Sequence, residues 1–355
     1  MGKNNLLKGF DKNSKIPRAF EKIKQTIENK LYTIKDIKEY IQNLFEIPDK
    51  YYDIVNKPID KNIIGDKIGL ILSGGGARGI AHLGVLKALL DLKIKPSFIV
   101  GTSAGAIMGA LYSSGMEIDK ILKIYEDEEK SFKKLSIYKN LNSKNKTEFL
   151  KSVFNRYLPV KTFEELNTKL SVQATDIKTC ERVIFSEGDL IKAILASSAI
   201  PFVFEPVKHK DYLLVDGGVL DFFGFDIARK INNDFFSGNL KIIISDVSGI
   251  TDKTSVLHSK LSSIVLNVSK DIADIINLLG NEKRDIKDQK DIIPIVNNLI
   301  YILRKGQRFI PPLKENEFII SPQLEKMSMF SFGKYHFAYE KGVKAVMETV
   351  FDSKT

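Results

Sequence analysis

A serine flanked by glycines is the first candidate for chemistry in this chain. The stretch SFIVGTSAGAIMGAL, residues 97–111, carries the pattern G-x-S-x-G at Gly101, Ser103 and Gly105. Serine and glycine are poor helix formers, so helix stability does not favour them where an apolar run gives way to a helical pattern. A strand, a sharp turn at Ser103 and a helix would expose the hydroxyl at the edge of a sheet. The pattern therefore indicates a nucleophile elbow.

A glycine-rich stretch lies one strand–helix unit before this serine. GGGARG, residues 74–79, follows the apolar run KIGLIL and matches G-x-G-x-x-G. A dinucleotide-binding loop is one interpretation, and it requires an acidic residue at the end of the next strand. The next strand instead leads into GTSAG, which contains no acidic residue. An oxyanion hole is the other interpretation, because N–H groups of a glycine loop at a helix N-terminus stabilise developing negative charge. Its place before a serine elbow favours the oxyanion hole.

A nucleophilic serine also needs a group that accepts its proton. Asp216 follows the apolar run YLLV and precedes Gly217 and Gly218, so its carboxylate has no neighbouring side chains to prevent contact with a hydroxyl. Asp216 could act on the serine directly, or a Ser-Asp-His triad could use His258 or His336. A structural Asp-Gly turn is the alternative to both. These possibilities stay open at the level of the residues.

Two strand–turn–helix units in succession must position these groups. KIGLIL leads through the glycine loop into IAHLGVLKALLDL, and SFIVG leads through the serine turn into a second helix. This order predicts an α/β fold with a central, mostly parallel sheet and helices on both faces. The further predicted strands are LSVQATD, RVIFS, YLLVDGG and KIIISDVSG. We expect the candidate residues to meet at the carboxyl edge of the sheet.

The first 65 residues differ from the rest of the chain. Apolar residues recur there at three- and four-residue steps, which predicts an N-terminal amphipathic helical arm over residues 1–65. Docking on the main domain is the favoured role, and an interfacial membrane helix is the alternative. The main domain is predicted to cover residues 66–351, with charged helical cover near 115–158 and 252–308.

Composition restricts the classes of partner. The 355-residue chain has a net charge of +10 and a pI near 9.2, which favours anionic partners. Lysines are spread along the chain among acidic residues and no nucleic-acid motif occurs, so an anionic membrane surface is expected rather than nucleic acid. The single cysteine, Cys180, and the lack of an apolar signal peptide or membrane-spanning run predict a cytoplasmic protein that is peripheral on a membrane at most.

The three motifs in this order resemble those of the patatin-like phospholipases, and we expect a member of the bacterial type. The stretches ATDIKTCERVIFSEG, ASSAIPFVFEPV and ISPQLEKMSMFSFGKYHFAYEKGVKAV are also similar to family members, so the resemblance covers about residues 66–351. It implies a three-layer α/β/α fold. The family usually has an Asn and then a Pro after DGG, where this chain has Asp221 and Gly224. This departure predicts a looser loop behind Asp216.

The resemblance implies a lipid acyl hydrolase of phospholipase A or lysophospholipase type, acting on a phospholipid or another acyl-ester lipid. Its catalytic residues would be Ser103 and Asp216, with no catalytic histidine, no metal and no cofactor. The supporting residues would be the oxyanion loop of Gly74, Gly75, Gly76, Arg78 and Gly79, the elbow glycines Gly101 and Gly105, and the Asp-loop glycines Gly217 and Gly218. The alternatives are a serine esterase or thioesterase with a triad, and a non-catalytic nucleotide- or lipid-binding module.

The two catalytic alternatives predict different pH profiles. An aspartate with an ordinary pKa of about 3.9 stays ionised at neutral pH. A Ser–Asp dyad is therefore expected to lose no activity between about pH 7 and pH 6, whereas a catalytic histidine would protonate in that range.

Overall fold

The structure is a computed structural model of the chain, and it describes residues 57–131, 143–201, 203–248, 311–324, 327 and 331–351. The described strands are β1 Lys67–Leu72, β2 Lys95–Thr102, β3 Lys169–Asp176, β4 Glu181–Phe185, β5 Val207–His209, β6 Tyr212–Asp216, β7 Lys241–Ser245 and β8 Glu317–Ile320. The described α-helices are α1 Ala81–Asp91, α2 Ala104–Ser113, α3 Ile118–Asp127, α4 Ser143–Tyr157, α5 Leu190–Ser197, α6 Phe225–Phe236 and α7 Tyr335–Phe351. The predicted α/β class is confirmed.

All the described strands belong to one sheet with the order β5-β6-β3-β2-β1-β7-β8, and β4 pairs with β3. The run β3-β2-β1-β7-β8 is parallel, while β4 and β6 are antiparallel to β3. The predicted strands LSVQATD, RVIFS, YLLVDGG and KIIISDVSG all form, as β3, β4, β6 and β7. The first two strand–turn–helix units therefore place the glycine loop and the serine turn at the carboxyl ends of adjacent parallel strands.

Strand β3 brings the serine turn and the aspartate together. β4 pairs with β3 along Val172–Asp176, so β2 and β6, which also pair with parts of that segment, must both use the opposite edge of β3. On this edge Gln173 pairs with Thr102, the last residue of β2, and the next residue, Ala174, pairs with Asp216. Strand β6 thus pairs with the part of β3 that directly follows the part paired with β2. As a result, Asp216 lies directly beside Ser103.

Helices cover both faces of the sheet and give the three predicted layers. Alternate side chains of a strand point to opposite faces. In β1, Leu70 and Leu72 pack in the larger core with α1, α2, α5 and α7, whereas Ile71 packs in a second core with α6. The larger core also contains apolar residues of α3 and α4, so the predicted charged cover near 115–158 contributes its buried faces to the domain.

The predicted N-terminal arm falls mostly on residues 1–56, which lie outside the described part of the chain, as does the predicted cover at 252–308. Residues 57–65 are described and pack against the domain. Ile59 and Ile63 are buried in the larger core, and the Ile59 N–H donates to the Thr349 carbonyl at 2.9 Å. The arm itself remains a prediction.

Candidate active site

The serine turn has the geometry of a nucleophile elbow. Ser103 lies between β2 and α2 with φ 52° and ψ −118°, a conformation that is uncommon for a residue with a side chain. A Cβ on Gly105 would lie 2.0 Å from the Leu72 carbonyl oxygen, and a Cβ on Gly101 would lie 2.7 Å from the Ala106 Cα. The two elbow glycines are therefore required by space, because any side chain would push α2 away from the sheet.

Ser103 and Asp216 are in direct contact. The Ser103 hydroxyl donates to Oδ2 of Asp216 at 2.6 Å, and the Gly218 N–H donates to Oδ1 at 2.7 Å. The second predicted glycine of the Asp loop, Gly217, packs on β3, since a Cβ there would lie 2.4 Å from the Gln173 carbonyl oxygen. The structure thus brings together the two residues that the sequence predicts to be catalytic, with no group between them.

Burial changes the acidity of Asp216. The side chain lies in the interior, and this burial raises the pKa of Asp216 to about 7, although the hydrogen bonds from Ser103 and Gly218 favour the ionised form and oppose the shift. A carboxyl group with this pKa is a much better proton acceptor at neutral pH than an ordinary aspartate. This result corrects the expectation of an ordinary pKa and, with it, the expected pH profile.

The glycine loop lies beside the serine. A Cβ on Gly74 would lie 3.6 Å from the Ser103 Cβ, and a Cβ on Gly75 would lie 2.6 Å from the Val247 carbonyl oxygen. The Gly74 N–H donates to the Phe222 carbonyl at 3.1 Å, so it is already used. Within the described residues, the N–H groups of Gly75 and Gly76 have no protein acceptor. These two groups are the available donors for an oxyanion.

Arg78 and Gly79 hold the glycine loop in place. Arg78 is buried, and its Nη2 donates to the Ser248 carbonyl at 2.6 Å, which ties the loop to the segment after β7. A Cβ on Gly79 would lie 2.4 Å from the Ala104 Cβ, so this glycine permits close packing on the start of α2. Of the residues predicted for the oxyanion loop, these two therefore make packing and tethering contacts.

The described histidines make no hydrogen bond to Asp216. His82 is buried in α1, where Nε2 lies 2.9 Å from the Ser73 carbonyl and Nδ1 lies 2.8 Å from the Ser245 hydroxyl. A carbonyl only accepts, so Nε2 carries the proton, and burial lowers the pKa of His82 to about 4. His82 is therefore held by hydrogen bonds in the interior of the domain. His336 is exposed on α7, and His258 lies outside the described residues.

The loop after Asp216 is not loose, which corrects the expectation drawn from Asp221 and Gly224. The Asp221 carboxylate accepts from the N–H groups of Phe223 and Gly224 at 2.8 and 3.1 Å, and Arg182 donates to it at 2.9 Å. The Asp221 N–H in turn donates to the Gly217 carbonyl at 3.0 Å. An aspartate that caps its own turn replaces the restriction that a proline would supply.

Two buried side chains that support the site were missed from the sequence. Ser197, at the end of α5, accepts from the Ser103 N–H at 2.8 Å and so fixes the strained turn. Gln173 on β3 donates to the Thr102 hydroxyl at 2.7 Å and to the Asp221 carbonyl at 2.8 Å. In the sequence, Ser197 lies in the stretch ASSAIP, which is similar to family members. Gln173 is marked by its place as a polar residue in the middle of the predicted strand LSVQATD.

No described helix is long and apolar enough to cross a membrane. Among the residues that the structure describes, no cluster of three or more His, Cys, Asp and Glu side chains could hold a metal ion.

The fold and the site define a three-layer α/β/α protein with a serine–aspartate pair at the carboxyl edge of its sheet. Residues 70–229 match the family model described as patatin-like phospholipase, and this segment is a patatin-like phospholipase domain. The resemblance seen in the motifs GGGARG, GTSAG and DGG is thereby confirmed for this part of the chain.

The chain is similar to short segments of much longer eukaryotic proteins. It is 31% identical over 291 residues to patatin-like phospholipase domain-containing protein 6 of Mus musculus, covering 79% of this chain and 20% of that protein. It is 29% identical over 235 residues to neuropathy target esterase sws of Drosophila melanogaster, covering 64% and 16%. It is 28% identical over 204 residues to lysophospholipase nte1 of Aspergillus fumigatus, covering 56% and 13%. These relatives are animal and fungal proteins, so the expected bacterial type is not supported.

Proposed function

We propose that the chain is a lipid acyl hydrolase of phospholipase A or lysophospholipase type that works through a Ser103–Asp216 dyad. The observation that carries this proposal is the 2.6 Å hydrogen bond from the Ser103 hydroxyl to Oδ2 of Asp216, made by a serine in a strained elbow. The patatin-like phospholipase domain and the relatives named as esterase and lysophospholipase support the substrate class.

The site contains a group for each step of ester hydrolysis. Ser103 Oγ attacks the ester carbonyl carbon while its proton passes to Asp216, and the resulting oxyanion is held by the N–H groups of Gly75 and Gly76. The intermediate expels the alcohol, which takes the proton from Asp216, and an acyl-serine remains. A water molecule then attacks the acyl carbon while Asp216 accepts its proton. Asp216 returns this proton to Ser103 Oγ when the fatty acid leaves.

The proposed substrate is a phospholipid or another acyl-ester lipid, met at an anionic membrane surface by a cytoplasmic protein. A net charge of +10 favours such a surface, since each basic group near an anionic bilayer adds to attraction. The test is release of fatty acid from lysophosphatidylcholine and from a short soluble ester by the purified chain. A folded chain that hydrolyses neither substrate would contradict the proposal, and would favour the non-catalytic binding module.

We expect an acidic limb near pH 7 in kcat/KM for a soluble ester. The base must be ionised to accept the serine proton, and the pKa of Asp216 is raised to about 7, so activity falls as the pH drops below that value. Added organic solvent distinguishes this limb from that of a histidine. Ionisation of a carboxyl group creates a charge, so a lower dielectric raises its pKa and moves its limb to higher pH. Deprotonation of an imidazolium removes a charge, so the limb of a histidine does not rise. A limb that does not rise with solvent would argue against Asp216.

Replacing His209, His258 or His336 by alanine is expected to lower kcat/KM by less than about tenfold, because a dyad uses no histidine. The direct contact of Ser103 with Asp216 supports this expectation, since a triad would require an imidazole between the two side chains. The measurement is hydrolysis of the soluble ester by each purified variant. A loss of several orders of magnitude in one of them, with the fold retained, would instead support the triad esterase.

A further inference from the structure

We propose that Gln173 is a positioning residue that sets the alignment of Ser103 with Asp216, by linking the end of β2 to the loop that follows Asp216. This inference rests on the proposed function, because its effect is exerted on the proposed dyad. The link consists of Gln173, Thr102 and the Asp221 carbonyl group, and we call it the Gln173 bridge.

The position of Gln173 in the sheet makes such a bridge possible. It occupies β3 at the register position opposite Thr102, the residue before the nucleophile, and its chain neighbour Ala174 lies opposite Asp216. The backbone of β3 therefore aligns the two strands that carry the dyad. The loop after Asp216 packs on β2 through apolar contacts, and the side chain of Gln173 adds hydrogen bonds that link this loop to Thr102.

The hydrogen bonds of the amide connect both sides of the site. Nε2 donates one hydrogen bond to the Thr102 hydroxyl at 2.7 Å and one to the Asp221 carbonyl at 2.8 Å. A carbonyl oxygen can only accept, so the group that faces it must be the NH₂ end of the amide. The side chain is fully buried, so these hydrogen bonds act in an environment where an unpaired acceptor is costly.

The side-chain hydrogen bonds of Gln173 in the described part of the chain are the two made by Nε2. Its Oε1 is buried and, within the described residues, has no hydrogen-bond partner, so the polar contacts of the side chain there are those of the bridge. A Cβ on Gly217 would lie 2.4 Å from the Gln173 carbonyl oxygen, and a Cβ on Gly224 would lie 3.5 Å from Oε1. The first residue of the loop therefore packs closely on Gln173, and its last residue lies near Oε1.

An ion pair fixes the same loop from its solvent side. Arg182, which is partly exposed on β4, donates to the Asp221 carboxylate and to Asp226 at the start of α6. Asp221 is thus held on its carbonyl by Gln173 and on its side chain by Arg182. Movement of this loop would displace the Gly218 N–H, which binds Asp216, and so would loosen the contact with Ser103.

The experiment compares three variants of the 355-residue chain with the wild type. Gln173→Met removes the amide but keeps a similar volume, and Thr102→Val removes the acceptor on the β2 side alone. Thr175→Val is the matched control, because Thr175 is buried on the same strand β3 and its hydroxyl has no hydrogen-bond partner within the described residues. Thermal unfolding followed by circular dichroism establishes that each variant is folded.

We expect Gln173→Met to lower kcat for the soluble ester by about 10- to 100-fold with little change in KM, because a small misplacement of reacting groups is costly while the buried amide touches no substrate. Thr102→Val should show a smaller loss, and Thr175→Val should match the wild type. The acidic limb should also move to higher pH in Gln173→Met, because a weaker hydrogen bond from Ser103 lowers the pKa of Asp216 less than in the wild type.

The inference would be overturned if Gln173→Met and Thr175→Val were equally active. It would also be overturned if all three variants lost activity equally and the acidic limb of their pH profiles did not move. If Gln173→Met does not fold, the comparison of Thr102→Val with Thr175→Val decides, and identical kinetics would overturn it. If the folded wild type hydrolyses no ester, the proposed function fails separately. The bridge is then judged by ¹³C NMR titration of Asp216 in the wild type and Thr102→Val: a raised pKa in the variant supports it, and an unchanged pKa contradicts it.

Discussion

Replacing Ser103 by alanine is expected to lower kcat for acyl esters by about 10⁴-fold or more. The change removes the nucleophile, and the oxyanion hole and binding groups that remain give only a small rate over uncatalysed hydrolysis. Alanine keeps the Cβ, so the turn at φ 52° is neither relieved nor strained further, and the Ser103 N–H can still donate to Ser197. We therefore expect the loss in rate without a loss of the fold.

The measurement is hydrolysis of the soluble ester, together with covalent labelling by a fluorophosphonate probe, which reacts only with an activated serine. The matched control is Ser113→Ala, because Ser113 is a fully buried serine at the other end of α2 whose hydroxyl has no partner within the described residues. Ser113→Ala should keep both activity and labelling. Turnover near the wild-type rate in Ser103→Ala would show that another group is the nucleophile.

The parts of the site that depend on local sequence were predictable. The elbow needs glycines where α2 approaches β1 and β2, and that requirement appears in the sequence as Gly101 and Gly105 around Ser103. The apolar runs that end at the glycine loop and at Asp216 likewise identified strand ends. Because the carboxyl ends of parallel strands share one edge of a sheet, the fold class already implied that the glycine loop and the serine turn would meet. Asp216 reaches the same edge for another reason, because β6 is antiparallel to β3 and its last residue pairs with Ala174.

The parts that depend on distant contacts were not predictable. The pKa of Asp216 follows from its burial under the whole domain, and no property of the stretch YLLVDGG reveals that burial. The Gly74 N–H is used by Phe222, a residue far along the chain, so the glycine motif alone did not show which donors stay available. The expected loose loop was wrong for a similar reason, since Arg182 of a different strand binds Asp221.

Replacing Asp216 by asparagine is expected to lower kcat almost as much as Ser103→Ala. An amide cannot accept the serine proton, and within the described residues no histidine hydrogen-bonds to Ser103 or Asp216 to take its place. Asparagine has nearly the same shape, and its oxygen can still accept from the Gly218 N–H while its nitrogen donates to Ser103. In a triad esterase the same change would leave the histidine base in place, and a substantial rate would remain.

The stability of Asp216→Asn should change in the opposite direction from its activity. Burial holds the pKa of Asp216 at about 7 in the folded chain, above its ordinary value of 3.8, so the folded state binds the proton more tightly than the unfolded state. Folding stability therefore falls as the pH rises from about 4 to 7, and at higher pH the full cost of a buried charge is present. The neutral amide removes this cost. We expect Tm of Asp216→Asn to exceed that of the wild type at pH 8 and to match it near pH 4; an inactive variant with a lower Tm at pH 8 would indicate a damaged fold rather than a lost base.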